Sequence, residues 1–180
     1  MIAVYDQTQK KFELDYSLSN LDFISEDLNF DSDLSIISRI WNTVEYRGNL
    51  IYSVRSYSID TRNTHQAYMN SLGIFIKKSL ESKPLFVEFP AQQSLGENIL
   101  LINDRLYALA NKKQKEHFVV YVYQLSSLNK NLEWQEILHF LGQNRARSFE
   151  YLDGKFYFGL GQDYGEAIAN SGDILSYTTK

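Results

Sequence analysis

The chain has 180 residues, no cysteine and a net charge of −4 from 18 basic and 22 acidic side chains. That length suits one domain that buries its own core. The missing cysteines exclude a disulfide framework or a thiolate site, and the acidic balance argues against a general nucleic-acid binder, which needs a basic face.

The opening segment, "MIAVYDQTQKKFELDY", reads as a pair of strands joined by a polar turn. It lacks the basic and apolar regions of a signal peptide. No stretch approaches the ~18 apolar residues of a membrane span, so the expectation is a cytoplasmic protein with no membrane partner. Thirteen Tyr and eleven Phe beside two Pro favour β structure, because aromatic rings suit a pleated, half-buried surface.

A polar stretch follows from Ser19 to Asp33, in which Asp27, Asn29, Asp31 and Asp33 alternate. Calcium loops use oxygen ligands at positions 1, 3 and 5, then Gly at 6 and Glu at 12. Ser32 and Ser38 stand at those last two positions, so no metal site is expected. "DSDLSIISRIWN" places Leu34, Ile37, Ile40 and Trp41 at helical spacing, and "LEWQEILHFLG" does the same with Trp134, Ile137, Leu138 and Leu141. The sequence alone leaves residues 32–43, 64–80 and 132–141 open between helix and strand.

Three later segments share one shape: "NTVEYRGNLIYSVRS" from Asn42, "ENILLINDRLYALAN" from Glu97 and "RSFEYLDGKFYFGLG" from Arg147. Each is an apolar run, a two-residue polar turn and a second run. The turns are Arg47-Gly48, Asn103-Asp104 and Asp153-Gly154. Asp-Gly between apolar runs signals a hairpin, because both central residues of a type I′ turn need positive φ. From Gly48 to Asp104 to Gly154 the spacings are 56 and 50 residues.

Further candidate strands follow each hairpin. They are "LGIFIKK" and "PLFVEF", then "HFVVYVYQL" and "LEWQEILHF", then "GDILSYT" alone. The string is two strands, four, four and three. This pattern resembles a β-propeller, with the hairpins similar to the inner strands of its blades. There is no Trp-Asp dipeptide, kelch double glycine or sialidase box, so the likeness is to an architecture and to no one family. It implies an all-β fold of tandem four-stranded antiparallel blades in a single domain, residues 1–180. The approximate repeats are 36–90, 91–141 and 142–180 plus 1–18, the N-terminal strands completing the last blade. An α+β domain with an antiparallel sheet is the alternative. Three blades leave open edges, which points to a homodimer or to a piece of a longer protein.

The glycines of "FGLGQDYG", Gly159, Gly161 and Gly165, exceed the dinucleotide spacing by one residue, and no long helix follows. They read as the end of a blade and not as a phosphate loop. No nucleophile elbow, P-loop or zinc pair occurs, and no cofactor is implied. In a propeller, the loops "RSYSIDTRNTHQAYMN", "PAQQSLGEN", "NKKQKE", "LGQNRAR" and "GQDYGEAIANS" would share one face. They would gather Arg55, Tyr57, Asp60, Arg62, His65, Arg145, Arg147, Asp163 and Tyr164, with Lys112 and Lys113 beside them. Arg and Tyr anchor interfaces. The expected function is a non-catalytic binding module for a protein partner or acidic ligand. A hydrolase using His65 with Asp60 or Asp163, and a purely structural oligomer, are the alternatives.

Overall fold

The computed structural model describes residues 2–6, 8, 10–16, 34–60, 66–70, 72–79, 82–126, 132–161 and 172–178. For 2–6, 11–16, 34–39, 56–60 and 66–70 it describes the backbone alone. The chain order is β1 (Ile2–Asp6), β2 (Lys11–Tyr16), β3 (Leu34–Tyr46), β4 (Asn49–Asp60), β5 (Gln66–Asn70), β6 (Gly73–Lys77) and β7 (Leu85–Glu88), then β8 (Leu95–Ile102), β9 (Arg105–Gln114), β10 (His117–Leu125), β11 (Trp134–Gly142), β12 (Arg145–Leu152), β13 (Lys155–Gly161) and β14 (Ile174–Thr178). Among the described residues there is no helix, and so none long and apolar enough to cross a membrane.

Three larger antiparallel sheets and a separate two-stranded one are formed by the described residues. Sheet I has the order β3-β4-β6-β7, with β5 also pairing with β4; sheet II is β11-β10-β9-β8; sheet III is β12-β13-β14. The first two strands pair only with each other among the described residues. The expected joining of this hairpin to the last sheet is not among the pairings, and no barrel or ring closes among the described residues.

All three expected turns form as their chemistry requires. The φ angles are +52° and +74° at Arg47-Gly48, +47° and +58° at Asn103-Asp104, and +49° and +77° at Asp153-Gly154. These are the paired positive values of a type I′ turn, whose twist suits the flanking strands.

The α+β alternative is overturned at both segments that motivated it: 34–46 is β3 and 134–142 is β11. Each carries a bulge that mimics a helical period. Ile40 pairs with Val54 and Asn42 with Ser53, so Trp41 is the extra residue. Leu138 pairs with Val122 and Glu136 with Tyr123, so Ile137 is extra. An inserted residue breaks the two-residue alternation and brings apolar side chains to a three-and-four spacing.

The sheets stack through two cores. Between sheets I and II lie Ile51, Ile74, Ile76, Val87, Leu106 and Tyr123 among others. Between sheets II and III lie Tyr107, Leu109, Val122, Phe149, Phe156 and Phe158. Strand β9 serves both cores: Leu106, Ala108 and Ala110 face one way, Tyr107 and Leu109 the other. Its near-continuous apolar run follows from burial on both faces. Burial pushes the Tyr123 phenol up to about 12.

Two glycines test different constraints. A Cβ on Gly73 would stand 2.1 Å from the Val87 carbonyl oxygen, whereas one on Gly154 would meet nothing within 4 Å. Gly154→Ala is therefore expected to lose only the conformational term, about 1 kcal/mol. Gly73→Ala has to push β6 from β7 and is expected to lose more, about 1–3 kcal/mol. Urea unfolding of the two variants checks the order; equal losses would contradict the steric argument at Gly73.

Candidate functional site

Each sheet begins with a hairpin whose first strand carries a bulge at the same place. Trp41 is the extra residue of β3. Gly96 pairs with Ala110 and Asn98 with Leu109, so Glu97 is the extra residue of β8. Ala146 pairs with Leu160 and Ser148 with Gly159, so Arg147 is the extra residue of β12. Each stands seven residues before the second residue of its turn, Gly48, Asp104 or Gly154. A bulge re-aims its side chain away from the pleat.

These three side chains meet at one cluster. The side chain of Glu97 is fully buried, and three guanidiniums share its carboxylate. Arg55 Nη2 donates to Oε2 at 3.2 Å, Arg145 Nη1 lies 3.6 Å from Oε1, and Arg147 Nε lies 3.6 Å from Oε2. Arg55 also sits over the Trp41 ring, its Cζ 3.7 Å from the centroid, a cation–π contact strengthened by exclusion of water. The Glu97 carbonyl accepts a 2.7 Å hydrogen bond from Asn42 Nδ2. The cluster thus ties all three sheets together: Trp41, Asn42 and Arg55 from sheet I, Glu97 from sheet II, Arg145 and Arg147 from sheet III.

The three arginines differ in exposure. The Arg55 side chain is 6% exposed, those of Arg145 and Arg147 17% and 26%. Arg145 is steadied from behind, its Cζ 5.4 Å from the Phe118 centroid. Arg147 lies against Gly161, where a Cβ would stand 3.0 Å from its Cγ. The same position on sheet I holds Arg55, and on sheet II Asn111, each seven residues after its turn marker. Asn111 reaches sheet III as Arg55 reaches sheet II. Its Nδ2 donates to the Ala146 carbonyl at 2.9 Å and its Oδ1 accepts from the Ala146 amide at 3.0 Å.

Of the residues singled out from sequence, Arg55, Arg145 and Arg147 come together, on strands and not on loops. Arg55 belongs to β4 and is buried, which corrects its reading as a loop side chain. The supposed long loop 55–70 is mostly strand, with Tyr57 and Asp60 on β4 and 66–70 forming β5; the side chains of Tyr57 and Asp60 are not among those described. Arg62, His65, Asp163 and Tyr164, like Asp27, Asn29, Asp31 and Asp33, lie outside the described residues. Lys112 and Lys113 are on β9, while Gly159 and Gly161 lie within β13. Among the described residues no group of His, Asp and Glu could hold a metal. Sequence reasoning missed Glu97, Trp41, Asn42 and Asn111. The signal available was the shared offset from the three turns.

No family model matches the chain, and no curated protein matches it. The fold and the site define an all-β protein of stacked antiparallel sheets held at one end by a bulge-aimed ion cluster.

Removing one partner of a buried ion pair costs about 3–5 kcal/mol, because the other charge stays desolvated. Glu97→Gln, which strands three guanidiniums, is expected to lose stability in that range. Arg147→Ala, at a more exposed position, is expected to lose about 1 kcal/mol. Chemical denaturation of both variants measures this, and a Glu97→Gln protein as stable as the parent would remove the cluster's structural role.

Proposed function

We propose that this chain is a non-catalytic binding module in which Arg145 and Arg147 receive an acidic group of a protein partner. The observation that carries the reading is the convergence of three guanidiniums, one from sheet I and two from sheet III, on the one buried carboxylate of sheet II. Glu97 holds Arg145 and Arg147 side by side while each keeps part of its side chain exposed. Arginines fixed before binding lose less rotamer freedom when a carboxylate arrives, and guanidinium geometry suits a bidentate carboxylate. Arg55, being buried against Glu97 and Trp41, supports the site without touching a partner. The hydrolase reading rests on Asp60, His65 and Asp163, whose side chains are not described.

The test is fluorescence anisotropy of a labelled polyglutamate peptide at low and high salt. Arg145→Ala with Arg147→Ala is expected to weaken binding by at least about tenfold, and salt to weaken it in the parent. Binding unaffected by the double change would overturn the reading.

The same proposal takes the sheets as propeller-like blades that pair into a homodimer. Its support is sheet III, one strand shorter than the main path of either neighbour. Its last strand, β14, has all five residues exposed and pairs only with β13 among the described residues. Exposed strand edges invite pairing with another chain. Light scattering should then give twice the 21.0 kDa of one chain; a monomer at all concentrations would refute the dimer and leave the arginine site standing.

A further inference from the structure

The opposite end of the strands holds a second feature. Glu97 stands five residues before Ile102 on β8, which at ~3.3 Å per residue separates the two ends by about 17 Å. Around Ile102, where the rims of sheets II and III meet, lies a cavity of about 370 Å³. Tyr107, Tyr151 and Phe156 wall it, and Ile102 and Ile137 complete its apolar lining. Phe156 meets Tyr107 and Tyr151 edge to face, at centroid distances of 5.7 and 5.1 Å. The aromatic wall is therefore fixed before any ligand enters.

Its polar lining comes from the β8–β9 turn. Asn103 and Arg105 border the cavity, while Asp104 between them is drawn the other way. The Asp104 carboxylate pairs with Arg47, and its carbonyl accepts from Tyr46 Oη at 2.8 Å, both on sheet I. The hydrogen bond from Arg47 holds that carboxyl below its ordinary value. Along β9 Arg105 alternates to the sheet III side with Tyr107. The side chains of Asn103, Arg105, Tyr107 and Tyr151 have no hydrogen-bond or ion-pair partner among the described residues. Four polar side chains with no hydrogen-bond or ion-pair partner among the described residues thus line one aromatic cavity, and one of them is a cation.

We infer that this cavity is a binding site for a small ring-bearing carboxylate. Its volume falls in the range of small-molecule sites, and its lining combines an aromatic wall with a polar rim. The ring would lie against Tyr107, Tyr151 and Phe156. The carboxylate would accept from the Arg105 guanidinium, and the phenol and amide groups would fix orientation. The site is separate from the arginine cluster and does not depend on its proposed role.

The probe is para-coumarate, a phenol ring bearing a carboxylate, titrated calorimetrically into the whole chain beside its neutral primary amide. The parent is expected to bind the acid at least about tenfold more tightly than the amide, since a charge-assisted hydrogen bond is lost in the amide. Arg105→Gln, at an exposed position, should abolish that preference without changing the fold. Tyr151→Phe, which keeps the ring, should weaken both ligands. Arg147→Ala should leave para-coumarate affinity unchanged, which separates this site from the cluster. Absence of binding at millimolar acid, or equal affinity in the Arg105→Gln protein, would overturn the assignment.

Discussion

The buried carboxylate of Glu97 is the constraint on which the three sheets depend. Removing an acid and its bases from water is costly, and attraction in the interior repays that only with good geometry. Here the geometry draws on every sheet: Arg55 from the first, Arg145 and Arg147 from the third, and Asn42 on the Glu97 backbone. Apolar cores between flat faces tolerate sliding, because the hydrophobic effect has no direction. A shared carboxylate does not. Any shift of sheet I or III along its strands would move a guanidinium away from Glu97. The cluster therefore fixes how the sheets are stacked more than it adds to their total stability.

The bulges make this possible. In a regular β8, Glu97 would pair with a β9 residue and take one face of the sheet like its neighbours. The extra residue frees it from the ladder. The same device recurs at Trp41 and Arg147, at the same distance from the turn. One hairpin plan is thus used three times with three chemistries at the bulge: a ring, an acid and a base. The acid lies on the middle sheet, where it reaches arginines on both sides. Gly161 of β13 belongs to the same plan, because it stands where Arg55 and Asn111 stand in the other sheets and leaves room for Arg147.

This explains what could be read from sequence. Turn chemistry is local, so Arg47-Gly48, Asn103-Asp104 and Asp153-Gly154 announce their hairpins, and strands such as 117–125 follow from apolar runs. Bulges are not local in this sense. Trp41 and Ile137 look helical because the extra residue disturbs the alternation that identifies a strand. The arginines are legible as a chemical class but read as loop residues, since a polar, Ser-bearing stretch follows Arg55 and its partner lies 42 residues on. Nothing near Glu97 in the chain marks it as buried. Only its place seven residues before a turn, matched in the other two repeats, could have done so.

The two ends of the stack are held differently, and the cavity lies at the end with fewer polar ties between sheets II and III. Between sheets I and II both ends are clamped, by Arg55 on Glu97 at the bulges and by Tyr46 and Arg47 on Asp104 at the turns. Between sheets II and III the bulge end is clamped by Arg145 and Arg147 on Glu97 and by Asn111 on Ala146. At the turn end, Asn103 and Arg105 make no side-chain bond to the β12–β13 turn among the described residues. The cavity there is walled by aromatic side chains of both sheets, and it lies beside the turn whose acid, Asp104, is held by sheet I. Glu97 thus ties the bulge end of β8 to both neighbouring sheets, whereas Asp104 ties the β8–β9 turn to sheet I alone among the described residues.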